Sequence, residues 1–191
     1  MHTTRPVSAG LLLSLKKDHA IVHGFWIVGT AALTAIAAQI EIPNTPVPFT
    51  FQTLVVLLAG GLLGPRNGFF SMMLYLGLGA AGLPVFSSGG FGLVRILGPT
   101  GGYLLAFPVA AWLIGTLMDR RGDSVVAIGG SMVAGLLVIF LMGTIQLNVV
   151  LIRDWSAAFK AGFLIFSWWD ILKLFAAIAI VRQVKQGKSN S

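Results

Sequence analysis

Apolar residues run along this chain in long blocks that charged residues rarely interrupt. Uncharged stretches cover 19–40, 42–65, 67–94, 96–118 and 124–152, each at or above the roughly 18 residues that mark a spanning helix. Proline and glycine divide the blocks further. The first span is expected at 20–41, opening after Lys16-Lys17-Asp18 and stopped by Pro43, Pro46 and Pro48. The second is short, 49–64, and ends at Gly64-Pro65. The third starts near Asn67 and fades at Gly82-Leu83-Pro84, and a loop follows through Ser87 and Ser88 to Gly98-Pro99. The fourth and fifth fall at 100–118 and 125–149. The sixth, 157–182, keeps a helical apolar pattern while carrying Asp170 and Lys173. The pattern predicts an all-α integral membrane protein with six transmembrane helices. They form one domain, 19–183, between an N-terminal segment 1–18 and a tail 184–191.

Composition points the same way. Hydrophobic residues make up 56% and charged residues 10%, against about 25% charged in a soluble domain. The absence of cysteine excludes disulfides, thiolate metal sites and a cysteine nucleophile. Six spans put both termini on one side, and the basic residues say which. Arg5, Lys16, Lys17, Arg66, Arg120, Arg121, Arg182, Lys185 and Lys188 give nine on the terminal side. Arg95, Arg153 and Lys160 give three on the other. Both termini are therefore expected in the cytoplasm and the chain in the cell membrane, with loops 42–48, 83–99 and 150–156 facing outward. The net charge of +7 suits loops beside anionic lipid rather than nucleic acid, because no basic run is interleaved with aromatics. Ala35-Ile36-Ala37 is a candidate processing site. The uncharged stretch around it exceeds the roughly 7–15 residues of a signal-peptide core, so span one is expected to be retained. Leu63-Gly-Pro-Arg-Asn-Gly68 recurs loosely as Leu97-Gly-Pro-Thr-Gly-Gly102; each reads as a helix start, and the match is too short to claim a repeat.

Familiar enzyme chemistry is missing. The only Gly-Lys pair, Gly187-Lys188, lacks the upstream glycine of a phosphate-binding loop. There is no G-x-S-x-G elbow, and only one carboxylate lies deep in a span. His19 and His23 sit four apart, a metal-ligand spacing on a helix, but at the membrane boundary with no third ligand in view. Interfacial packing is the expectation there. The chain is expected to be neither an enzyme nor a metal or cofactor protein.

The informative polar residues are Asp170 and Lys173, three apart and so on one helical face. Counting from the outer end of the sixth span puts Asp170 roughly 15–20 Å deep. A central Asp or Lys costs about 2.5–3.5 kcal/mol on insertion scales, so the pair is either a mutually neutralising structural feature or a ligand or ion site. Asp170 offers acceptors, Lys173 offers donors, and Trp169 lies adjacent, a suitable wall for a flat polar ring. Gln52 lies just inside the outer end of span two, and Tyr103 opens span four. Either of them is explained equally by interhelical hydrogen bonding. Arg95 is the only cation of the 83–99 loop, which reads as a gate over an outward pocket or as an ordinary connector. Span one carries a small-residue stripe, Gly24, Val28, Ala31, Ala35 and Ala38. It serves either packing within the bundle or docking to a separate membrane subunit.

With these residues in hand, the chain resembles the BioY family, the biotin-binding substrate (S) components of energy-coupling factor (ECF) transporters. The resemblance covers 20–182. It rests on Pro46-Val-Pro-Phe-Thr-Phe-Gln-Thr53, Leu62-Leu-Gly-Pro-Arg66, Gly79-Ala-Ala-Gly-Leu-Pro-Val-Phe86, Leu97-Gly-Pro-Thr-Gly-Gly-Tyr103 and the pair Asp170-x-x-Lys173. It implies an S-component-like bundle, capture of biotin from outside, and energisation by a membrane coupling subunit with two ATPases. Asp170 and Lys173 match the family's ligand-contacting pair, and Ala31-x-x-x-Ala35 resembles its docking motif. The ureido ring of biotin would suit Asp170 and Lys173, and its carboxylate would suit Arg95. Lys173 takes the carboxylate instead if the vitamin binds the other way round. A self-contained proton-coupled carrier with Asp170 as relay, and a scaffold that binds no small molecule, are the other readings.

Overall fold

The computed structural model describes residues 9–164 and 168–189. Residues 1–8, the junction 165–167 and the last two residues lie outside the described residues. Helix α1 (Ala9–Gln39) leads into a two-stranded antiparallel hairpin, β1 (Glu41–Ile42) and β2 (Phe49–Thr50), paired Glu41 to Thr50 and Ile42 to Phe49. Helix α2 (Gln52–Ala80) is followed by a 3-10 turn at Ser87–Gly89, then α3 (Gly92–Leu97), α4 (Gly101–Arg121) and α5 (Val125–Leu147). A wide turn at Asn148–Ile152 joins α6 (Trp155–Ala158), a second wide turn at Phe159–Phe163 follows, and α7 (Trp168–Ser189) closes the chain.

α2 is two helices. Gly64 adopts φ 76° and ψ −178°, a conformation that removes the helical hydrogen-bond direction and that glycine tolerates without a Cβ penalty. Pro65 then starts the second arm, where a missing N–H costs nothing. The arms run antiparallel: Gln52 at the start of the first reaches Tyr75 in the second, and Gly68 backs onto the Ala59 carbonyl. With the arms counted separately, the bundle has the six helices expected from the apolar blocks. It is a multi-pass membrane bundle of α1, the two arms of α2, α4, α5 and α7.

Glycine lets these helices meet at backbone distance. Gly60 lies against the Ala111 carbonyl and Ile114, and Gly115 lies against the Gly64–Pro65 turn, so α4 packs along the whole hairpin. Gly102 faces Met142 and Gln146, and Gly135 faces Ile114, which brings α5 onto α4. Small residues do for membrane helices what large apolar ones do in water, since lipid supplies no hydrophobic drive between spans.

Three expectations need correction. The sixth apolar block is not one helix: the described residues place a short helix and a wide turn before α7, so Asp170 falls in the first turn of α7. Asp154 starts that interruption by accepting from the backbone N–H groups of Ser156 (2.8 Å) and Ala157 (3.2 Å), after Arg153 turns left-handed at φ 56°. The 83–99 loop contains α3, and the proline-rich stop at 43–48 lies within a β-hairpin. Finally, the small-residue stripe of α1 is divided. Ala31 and Ala38 are buried in the bundle, Ala35 is half-buried against it, and Val28 and Gly24 are exposed. Ala31 thus packs inside this chain's own bundle, on the face of α1 that also buries Thr34 beside Met72 of the second arm of α2. At the other boundary His23 Nδ1 lies 2.7 Å from Asn67 Nδ2, and the side chain of His19 lies outside the described residues.

Candidate functional site

The first arm of α2 has 12 residues (52–63), a rise of about 18 Å against about 30 Å of hydrocarbon. The chain enters that arm from the hairpin, in which Val47 is buried while Ile42, Pro43 and Thr45 are exposed. Below the hairpin, at the end of the bundle opposite the chain termini, is a cavity of about 70 Å³. Its polar wall is Thr50, Gln52, Thr53, Ser87, Arg95, Thr100, Tyr103, Asp170 and Lys173. Phe49, Leu104, Phe107, Ile139 and Phe140 supply much of the apolar remainder.

The charges in the wall are paired at short range. Lys173 Nζ is 2.5 Å from Asp170 Oδ1, 2.7 Å from Thr53 Oγ1 and 2.9 Å from the Thr50 carbonyl oxygen. An ammonium group has three protons, and here each has an acceptor. Thr53 accepts from Lys173 and donates to Asp170 Oδ1 at 3.4 Å, so one hydroxyl bridges both ions. Asp170 is 3% and Lys173 7% exposed. Burial at that level is tolerable only for a neutralised, hydrogen-bonded pair. The α7 residues Asp170, Lys173, Ala177 and Val181 are all buried and recur at helical spacing, whereas Trp169, Leu172 and Phe175 are exposed. That stripe turns the pair inward.

Cover for the cavity comes from the segment 81–100. Arg95 Nη2 donates to Ser87 Oγ at 2.9 Å and, more weakly, to the Ser87 carbonyl at 3.4 Å. Gln39, at the end of α1, clamps the same turn: its Nε2 donates to the Phe86 carbonyl (3.0 Å) and its Oε1 accepts from Gly89 N–H (3.1 Å). Ser88, held at φ 55°, donates to the Glu41 carboxylate. Gln146 on α5 caps α3 by donating to the carbonyls of Ile96 and Gly98 at 2.8 and 2.7 Å.

Of the residues singled out from sequence, Asp170, Lys173, Arg95, Tyr103 and Gln52 all line this one cavity. Trp169 does not. It is 46% exposed and lies on the outer side of α7, in an apolar groove with Ile42, Phe51 and Leu54. The reason is the helical step of about 100° per residue: if Asp170 points inward, its neighbour cannot. Tyr103 and Gln52 already have partners. Tyr103 Oη donates to the Gly162 carbonyl at 2.9 Å. Gln52 Oε1 accepts from Thr50 Oγ1 at 2.9 Å, and its Nε2 donates to Tyr75 Oη at 2.5 Å. Thr50, Thr53, Ser87 and Tyr75 were not named from sequence. Threonines flanking Gln52 at the mouth of a span were the available hint for two of them; Tyr75, mid-span and unexceptional, offered none.

A membrane bundle with one buried ion pair among the described residues, lining a small cavity near one face, defines the class: a multi-pass membrane protein with an internal charged site. The chain belongs to the BioY family, whose model matches residues 13–190. It is 39% identical over 155 residues to the biotin transporter BioY of Thermotoga maritima, covering 81% of this chain and 90% of that one. It is 42% identical over 154 residues to the probable biotin transporter BioY of Pyrococcus horikoshii, again 81% and 90%. Its fold matches a crystal structure of the S-component for biotin from an ECF-type ABC transporter, with TM-score 0.81, 26% identity, and coverage of 88% of this chain and 93% of that one.

Proposed function

We propose that this protein is the biotin-binding substrate component of an ECF-type transporter and that its cavity is the biotin site. The observation that carries the reading is the buried Asp170–Lys173 pair opening on a chamber whose remaining polar wall includes Arg95. Biotin has a ureido ring with two N–H donors and one carbonyl, an apolar bicycle and chain, and a carboxylate. Asp170 suits the donors, Phe107 and Phe140 suit the apolar body, and Arg95 suits the carboxylate. Because every proton of Lys173 is engaged, a ligand carbonyl reaches it only by displacing one of its three oxygens. Arg95, by contrast, uses only its Nη2 on Ser87, so other N–H groups of its guanidinium can take the carboxylate. The cavity opens outward, with both termini in the cytoplasm, in keeping with the nine-to-three basic bias. Uptake is driven by a membrane coupling subunit and two ATPases. Ala35, half-buried beside exposed residues of α1, is retained for that contact, and Ala31 is not.

The test is calorimetric titration of the purified protein with biotin in the absence of nucleotide, followed by uptake in cells with and without the ATPase subunits. Stoichiometric binding and ATPase-dependent uptake are expected. Uptake into liposomes driven by a pH gradient alone would replace this reading with a proton-coupled carrier.

A further inference from the structure

Tyr75 touches neither the cavity nor lipid. It is fully buried in the second arm of α2, yet it joins the chamber to its cover along two routes. On the chamber side, its hydroxyl accepts from Gln52 Nε2, and its ring stacks on Phe107, with centroids 6.5 Å apart and planes at 28°. Both Gln52 and Phe107 line the cavity. On the cover side, the same hydroxyl donates to the Val85 carbonyl at 3.0 Å. Its ring meets Phe86 edge-on, at 5.5 Å and 81°. Phe86 in turn fills the space a side chain at position 79 would need, one helical turn after Tyr75.

The polar chain continues past Gln52. Thr50 Oγ1 donates to Gln52 Oε1, and the Thr50 carbonyl holds Lys173. A series of hydrogen bonds, linked through the main and side chains of Thr50 in β2 and through Gln52, therefore runs from the ion pair on α7 to the backbone of the cover. The other ties on the cover differ. Gln39 and Glu41 hold it from outside the cavity, and Arg95 is itself part of the cover.

We propose that Tyr75 is a positioning residue that ties closure of the 85–90 turn to occupancy of the cavity, and so sets how long a bound ligand stays. This rests on the biotin reading above. A ligand that engages Gln52 or presses on Phe107 acts on the partners that hold the Tyr75 hydroxyl and ring against the turn. Without that hydroxyl, the Val85 carbonyl and the Gln52 amide lose their shared partner while the ring packing stays.

Tyr75→Phe makes that change alone. Biotin dissociation, followed by stopped flow, is expected to quicken about tenfold, the scale of one or two net hydrogen bonds, with the association rate within about twofold. Hydrogen exchange in the ligand-free protein should rise at the amides of 86–90 and stay unchanged in α4. Met72→Ala, one turn away and equally buried but outside the cavity lining, controls for loss of packing alone: it should lower thermal stability without altering dissociation. Unchanged dissociation in Tyr75→Phe, or an equal change in Met72→Ala, overturns the inference. If the unaltered protein fails to bind biotin, the biotin reading falls. The exchange measurement then decides the tether by itself, and unaltered exchange at 86–90 overturns it.

Discussion

Replacing Asp170 by Asn tests the site most directly, because the shape is kept and the charge removed. Two effects must be separated. Asp170 Oδ1 is one of three acceptors on Lys173; Asn keeps a carbonyl oxygen there but no charge, so the variant leaves a 7%-exposed ammonium without its counter-ion. Breaking a buried pair from one side costs about 3–5 kcal/mol of stability, a large share of the roughly 5–15 kcal/mol that a folded domain has. Loss of a charged hydrogen bond to the ligand costs about 1.5–3 kcal/mol of binding, or roughly 10- to 150-fold in Kd. The companion variant Asp170→Asn with Lys173→Met removes the stranded cation and restores neutrality. Both are titrated with biotin by calorimetry in lipid nanodiscs, after thermal unfolding has established the folded fraction. Asp170→Asn should bind at least tenfold more weakly, and the double variant should recover stability without recovering affinity. A Kd within threefold of the unaltered protein in Asp170→Asn would remove Asp170 from the binding site. Recovery of full affinity in the double variant would refute the reasoning in another way, by reducing the pair to a structural element.

Other outcomes follow from the same contacts. Arg95→Gln should weaken biotin about 10- to 100-fold but leave biotin methyl ester nearly unaffected, since only the former presents a carboxylate; equal losses for both would take Arg95 away from that end. Gly79→Ala puts a Cβ inside the Phe86 ring position, and overpacking of that kind costs about 1–3 kcal/mol, read as a lower thermal midpoint. An unchanged midpoint would mean the Phe86 ring moves freely. Ala31→Leu should be destabilising on the same scale of about 1–3 kcal/mol, whereas Ala35→Trp should retain biotin binding and lose uptake in cells that hold the coupling subunits. Impaired binding by Ala35→Trp would place that side chain wholly within the bundle.

Much of the architecture was legible because a membrane enforces simple local rules. Long uncharged blocks gave the spans, and Gly64-Pro65 gave the turn that divides α2, since a left-handed residue followed by a proline admits few alternatives. The ion pair was legible for the same reason: two charges in an apolar block demand an explanation. What was missed depends on distant partners or on the phase of a helix. Thr53 meets Asp170 and Lys173 from more than a hundred residues away, and nothing periodic announces it. Tyr75 acquires its place only when the two arms of α2 fold together. Trp169 was drawn into the candidate site by adjacency, although the stripe Asp170, Lys173, Ala177, Val181 already fixed which way α7 faces. The interruption at 155–163 escaped because its residues are as apolar as a helix, and the decisive signals are single ones, Asp154 as a cap and Arg153 left-handed.

The bridging role of Thr53 also bears on how the chain is made. The last helix brings a carboxylate and an ammonium into hydrocarbon in its first two turns, and the oxygens that complete their coordination were synthesised some 120 residues earlier. Its integration is therefore favourable only into a bilayer where the α2 hairpin already stands, so biogenesis has a direction. Ribosome-bound intermediates lacking Thr50 and Thr53 should insert their C-terminal segment poorly, however apolar the remainder of that segment is.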